Sequence, residues 1–396
     1  MRARFPAVVV GVLGVALAAA ACGSTGSSSG NAAASTTNSK AMWGSQNATR
    51  CAAAVNTKPD YTNSIGTIKG GASTISGAGS TFAAPMYSQW SSAYDTASGV
   101  AVAYASIGSG GGVAAVQAGT VNFGDSDVGM TPAEIAASKG PVLQIPLLLG
   151  AVVPTYNLPG IPAGLKFSGA VLGEIYAGKI KTWNASALKK LNPGVNLPDE
   201  PIAVVHRSDG SGTTGIWTDY LTKTSPVWVS ALGGPAQSQG KTVAWPVGIG
   251  GKGNEGVSAA IAQTKGSLGY VESDFAISEH LTYGQVQNSS GNFVEPCIAT
   301  IVPAVDGVTF PPSLNISLTN GTNPDVYPVA GTTYALVYQN QTSKPVAAGL
   351  VNFFAWVLTS GQDQNASLNY APLGSALQAL AYSQLKKITL DGKPVA

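Results

Sequence analysis

The chain has 396 residues, of which only 10% are charged, and its formal net charge is +2. That balance leaves no basic footprint for nucleic acid or another polyanion. The two histidines, His206 and His280, and the three cysteines form no cluster with metal-ligand spacing, so neither a metal centre nor a cofactor is expected.

At the N-terminus, Arg2 and Arg4 precede an apolar run from Phe5 through Ala21, and Cys22 follows at once. The run ends too early for a membrane span and reads as a secretory signal peptide over residues 1–21. Ala19-Ala20-Ala21-Cys22 resembles a bacterial lipoprotein box, in which Cys22 becomes the lipidated first residue, although the leucine stands five residues before it, at Leu17, rather than three. Gly23 to about Asn47 holds scarcely a large apolar side chain, so residues 22–71 are expected to be a lipid-anchored, flexible tether. About 325 residues remain, which suits two domains. In an exported chain, Cys51 and Cys297 either pair or lie apart as buried thiols, and the sequence leaves both readings open.

The folded part is expected from Ala72. Ser73-Thr74-Ile75-Ser76 reads as a strand, Gly77-Ala78-Gly79-Ser80 as a loop, and Phe82, Met86, Trp90 and Tyr94 as one face of a helix with Pro85 in its first turn. Val100 to Tyr104 is a second strand, Ser106 to Gly112 a second loop, and Val113 and Val116 begin a second helix. Asn122 to Asp127 is a short strand carrying two carboxylates, Asp125 and Asp127. Side-chain alternation places both on the same face. Thr131, Pro132 and Glu134 form a capped helix start. The apolar run Gln144 to Val153 carries the chain from one domain to the other. Asn254-Glu255-Gly256-Val257 reads as another capped helix start and Gly269-Tyr270-Val271 as a strand. Asp325 to Val337 is the return crossing, and Val346–Thr359 and Ser375–Leu385 are closing helices. The expected division is 72–152 with 330–396 as domain I and 153–329 as domain II.

The chemistry concentrates in a third strand–loop–helix unit. Pro201 to Val205 is strand-like, the next residues are polar or glycine, and Ile216, Trp217, Tyr220 and Leu221 return at helical spacing. A helix that starts in such a loop points unpartnered N–H groups and the positive end of its dipole at whatever fills the turn, which makes an anion site. Arg207 adds a planar fork of donors for a tetrahedral oxyanion. Asp209 in the same loop is tolerable if it pairs with Arg207, or if the anion brings a proton to donate to it, as phosphate does near neutral pH and sulfate does not. The loop lacks the lysine of a P-loop, and no G-x-S-x-G elbow supports a serine hydrolase. In α/β sheets, such loops gather beyond the strands' carboxyl ends.

Gly77-Ala78-Gly79-Ser80-Thr81-Phe82, Ile107-Gly108-Ser109-Gly110-Gly111-Gly112, Val121 to Asp127 and Arg207-Ser208-Asp209-Gly210-Ser211-Gly212-Thr213 resemble the ligand-site motifs of the phosphate-binding proteins of bacterial ABC transporters, the PstS family. Leu172–Trp183, Gly248–Gly256 and Gly266–Glu272 resemble further family signatures. The likeness runs from about Ile75 to the C-terminus. It implies an α/β, two-domain periplasmic-binding-protein fold of type II, with mixed sheets flanked by helices and a ligand cleft between the domains. It also implies a site in which Thr81 and Phe82 give backbone donors, Thr81 and Ser109 give hydroxyls, and Asp127 accepts the phosphate proton. Arg207 makes the charged contact, held by Asp209, and Ser211, Gly212 and Thr213 supply helix-terminus donors. Ala83 stands where the family usually has proline, Ser208 where alanine is common, and Asp125 is an added acid. The preference for Asp127 over Asp125 rests on the resemblance. The expected role is high-affinity capture of inorganic phosphate outside the cell by a monomer, held to the membrane by its lipid or free in the periplasm, for delivery to ABC-transporter permease subunits. The alternatives are a surface phosphate sensor or adhesin lipoprotein and a phosphatase-like enzyme.

Overall fold

The computed structural model describes Cys51, Tyr61 and residues 64–396. The signal peptide, Cys22 and most of the tether lie outside the described residues. Strands β1 (Thr74–Gly79), β2 (Ala101–Ser106) and β3 (Phe123–Ser126) pair in parallel, each leading through a glycine- or serine-containing turn toward the same edge. Helix α1 (Ala84–Ser98) follows β1 and buries Met86, Trp90 and Tyr94, the face read from their spacing. Helix α2 (Ser109–Ala118) starts four residues earlier than the glycine run suggests, so Gly110, Gly111 and Gly112 lie in its first turn rather than in a loop. The reason is packing: a Cβ on Gly112 would stand 2.7 Å from Gly79 Cα.

The long strand β4 (Val142–Asn157) is the centre of the nine-stranded sheet. β4 is buried along nearly its whole length, as its apolar run requires. Beyond it come β5 (Ala203–Arg207), which leads into helix α3 (Gly212–Thr224), β6 (Ile249–Gly251), which leads into helix α4 (Gly253–Gln263), and β7 (Ser267–Glu272). β8 (Ala330–Tyr338) returns antiparallel to both β3 and β4. The extended return is therefore shorter than expected, because Asp325 to Val329 is mostly turn. The sheet order is β2-β1-β3-β8-β4-β7-β5-β6, with a ninth strand, Thr282–Tyr283, pairing with β4 off this path. Residues Val142 to Ala151 of β4 pair with β8, and Val152 to Asn157 pair with β7. One strand thus belongs to two lobes of a type II fold. Helices α5 (Lys344–Val357) and α6 (Ser375–Leu385) close the chain.

Cys51 and Cys297 are joined in a disulfide with a Cα–Cα distance of 5.7 Å, which resolves the pairing left open by the sequence. Among the described residues, the one His/Cys/Asp/Glu group compact enough for a metal is Cys51, Glu295 and Cys297, and its two sulfurs are bonded to each other. No helix among the described residues is long and apolar enough to cross a membrane.

Candidate functional site

Helix α3 carries the first wall of the site. Ser211 caps it, its Oγ accepting from Thr214 N at 3.1 Å, which leaves the first-turn N–H groups of Gly212 and Thr213 pointing out of the helix. Arg207, the last residue of β5, lies beneath this terminus and is 3% exposed. Its Nε donates to Asp209 Oδ1 at 2.8 Å and its Nη2 to Oδ2 at 2.5 Å, while Nη1 donates to Thr213 Oγ1 at 3.4 Å. Burial alone would raise the Asp209 carboxyl. The two Arg207 hydrogen bonds, its charge and the N–H of Gly253 outweigh that and hold the group below its ordinary value. Asp209 is therefore a fixed carboxylate that aims the guanidinium, leaving the second hydrogen of Nη1 and that of Nη2 for a ligand.

The opposite wall comes from the β1, β2 and β3 turns. Asp127 is buried just past β3 and accepts from Ser80 Oγ and, at 3.3 Å, from Ser109 Oγ. Burial pushes its carboxyl up to about 6, against the pull of the Ser80 bond and of the Arg207 charge. The walls meet closely. A Cβ placed on Gly212 would stand 2.5 Å from Asp127 Oδ2 and 2.6 Å from Ser109 Oγ. Gly110 N donates to Gly210 O at 2.8 Å, and a Cβ on Gly108 would fall 2.3 Å from Asp209 Oδ2. A cavity of about 140 Å³ lies beside these contacts, with Thr81 and Ser106 on one side and Asp209, Lys252 and Gly253 on the other.

The added acid separates from this cluster. Strand β3 ends at Ser126, so the alternation that puts Asp125 and Asp127 on one face stops between them. Asp125 pairs in the sheet with Gly79 and Ala335, and its carboxylate accepts from Tyr87 Oη at 2.8 Å and from Thr333 Oγ1. Burial, and then the neighbouring Asp127 charge, raise it well above the ordinary carboxylate range, and its partners are core groups rather than the facing wall. Phe82 is buried with its ring against Tyr370, whose hydroxyl donates to Phe82 O at 2.5 Å. Thr81 Oγ1 is met from the opposite wall by Asn254. All nine expected ligand residues thus lie on the two facing walls or in the turns that form them.

Sequence reasoning missed two members of this cluster. Ser80 stands in a turn and in a stretch that resembles a ligand-site motif but is given no role there, yet its hydroxyl is bonded to Asp127. Asn254 was read as a helix cap, but Lys252 occupies that position, without a side-chain cap bond, and Asn254 is the second residue of α4. Its place inside the glycine-rich stretch Gly248–Gly256 was the available signal.

Comparison with known proteins gives the family and the fold. Residues 28–360 match the model of the PBP superfamily domain. A phosphate-binding protein PstS of Pasteurella multocida is 43% identical over 305 residues, covering 76% of this chain and 87% of the relative. One from Haemophilus influenzae is 38% identical and covers 83% of this chain and 98% of the relative. The chain belongs to the PstS family. Among solved structures, a phosphate-binding protein from Stenotrophomonas maltophilia superimposes with a TM-score of 0.61 at 19% identity, covering 78% of this chain and 93% of that one. A putative phosphate ABC transporter substrate-binding protein from Clostridium perfringens, solved with bound phosphate, gives 0.55 at 19% identity over 76% of this chain and 99% of that one. These likenesses show that the PstS-family chain has the family's fold.

Proposed function

We propose that this chain binds inorganic phosphate outside the cell and delivers it to the permease subunits of an ABC transporter, as a monomer without turnover or cofactor. The observation that carries this reading is the meeting, in one cleft, of the Asp209-braced Arg207 with the buried Asp127 beneath the N-terminus of α3. Arg207 supplies the charge. Thr81, Phe82, Ser109, Ser211, Gly212 and Thr213 supply N–H and hydroxyl donors, and Asp127 accepts the one proton that phosphate keeps. About ten donors at roughly 1.5–3 kcal/mol for each charge-assisted bond exceed the ~8 kcal/mol of micromolar binding, which leaves room for dehydration and closure. The proposed domains are 72–152 with 330–396 and 153–329, divided where β4 exchanges β8 for β7. Export, with a lipid at Cys22 holding the protein at the outer face of the membrane, completes the reading.

Calorimetric titration tests it. Phosphate is expected to bind at micromolar concentration or tighter, and sulfate at least ~100-fold more weakly. No heat with phosphate, or equal binding of the two anions, would overturn the proposal.

Two outcomes follow from Asp127. Asp127→Asn turns an acceptor into a group that can donate, so sulfate is expected to gain about tenfold to 100-fold while phosphate weakens; competition titration measures both. Because the carboxyl sits at about 6, a fall in pH through that value protonates it and creates the same donor. Sulfate should therefore compete better at acid than at alkaline pH in the unsubstituted chain, and Asp127→Asn should flatten that dependence.

A further inference from the structure

Asn254 is fully buried, uncharged and outside the set of residues given a ligand role above, yet it touches that set from both walls. Its Nδ2 donates to Thr81 Oγ1 at 2.8 Å and to Thr213 Oγ1 at 3.4 Å, and its backbone N donates to Thr81 Oγ1 at 3.2 Å. The carboxamide can be oriented in only one way, because Oδ1 accepts from Glu272 N at 3.0 Å; turning it over would face that N–H with an amino group. Its two amide hydrogens are thereby committed to the two threonines.

A hydroxyl has two lone pairs and one hydrogen. Thr81 Oγ1 receives two N–H groups from Asn254, which fill both lone pairs and leave its hydrogen as its only remaining bonding capacity. Thr213 Oγ1 receives Asn254 Nδ2 and Arg207 Nη1 and is left in the same state. We propose that Asn254 is a positioning residue of the anion site, whose carboxamide fixes the Thr81 and Thr213 hydroxyls as donors aimed at the ligand. The inference rests on the phosphate reading above and deepens it. Hydroxyls free to turn would offer the anion a lone pair part of the time. Held in this way, they present only hydrogen, which favours a fully oxygen-faced anion and removes the entropy cost of ordering them at binding. Asn254 also joins the two walls, since Thr81 and Thr213 lie on opposite sides of the cleft.

The test is a mutant cycle read by phosphate titration. Asn254→Ala in the unsubstituted chain is expected to weaken phosphate about tenfold, and Asn254→Asp, which is near-isosteric but accepts from both threonines, about 100-fold or more. In a Thr81→Val, Thr213→Val background the same Asn254→Ala change should cost less than about twofold, because the groups it acts through are gone. An undiminished tenfold cost in that background would overturn the inference, since Asn254 would then act by packing alone. If the alanine variant fails to fold, as its thermal melt would show, the uncharged and similarly sized Asn254→Leu replaces it in the same cycle, with the same two outcomes. Phosphate binding by the unsubstituted chain separates the cases. Its absence would overturn the functional reading and this inference with it, whereas an undiminished cost with normal binding overturns the inference alone.

Discussion

Arg207→Ala is expected to lower phosphate affinity by ~1000-fold or more, to the limit of calorimetric detection. Among the described residues, the guanidinium is the one cation bonded into the cluster around Asp209 and Thr213, and it is almost wholly removed from water. Its loss takes away at least two charge-assisted donors. It also leaves Asp209 without the partner that holds it ionised, and Asp127 without the charge that opposes its burial. An incoming anion would then face two carboxylates without compensation. Arg207→Lys separates charge from geometry. An ammonium keeps the charge but cannot grip both oxygens of Asp209 while reaching the ligand, so a loss of roughly 100-fold is expected there. Titration of both variants checks this, with circular dichroism to establish that each is folded. Retention of micromolar phosphate binding by the alanine variant would remove Arg207 from the site.

The second large effect is steric. Gly212→Ala adds one methyl group at a position where Asp127 Oδ2, Asp127 Cβ and Ser109 Oγ all lie within 2.6 Å, and each belongs to the facing wall. Gly212 is absent from the glycines with positive φ and begins helix α3, so alanine fits its own backbone. The substitution should leave the melting temperature of the ligand-free protein nearly unchanged while holding the two walls apart. Phosphate affinity should fall about 100-fold or more, because contacts from both sides are no longer made together. Small-angle scattering with and without phosphate gives an independent check: compaction on ligand addition should be lost in the variant. Normal affinity would mean that the walls do not need this approach.

Much of the scaffold is legible in the sequence because it is written in short-range periodicity. The four-residue recurrence of Met86, Trp90 and Tyr94 locates α1, the turn residues around Thr131 locate a capped helix, and Ser375–Leu385 coincides with α6. The apolar run from Gln144 could be read as a crossing because a strand buried on both faces has no polar alternation. What escaped depends on distant contacts. Three successive glycines argue against a helix by propensity, and only the approach of Gly79 shows why α2 begins among them. The partner of Asn254 lies 173 residues away at Thr81, so local rules could offer only a capping role. Asp125 and Asp127 differ because β3 stops at Ser126, a boundary set by pairing with β8 rather than by composition. The same holds for Cys51 and Cys297, whose sequence separation is 246.

The continuity of β4 bears on how cargo leaves. In the proposed division the chain crosses between the halves at Ala151–Val153 and again at Tyr327–Ala330, and these segments lie side by side, with Val152 N bonded to Val329 O at 2.9 Å and Tyr327 Oη to Val152 O at 2.9 Å. Parting the halves would bend these two adjoining ribbons and would also part buried contacts between the halves, such as Tyr370 Oη with Glu272 Oε2 at 2.8 Å. Release of cargo would also have to break the bonds across the cleft, among them Gly110 to Gly210, Asn254 to Thr81 and Lys241 to Glu134.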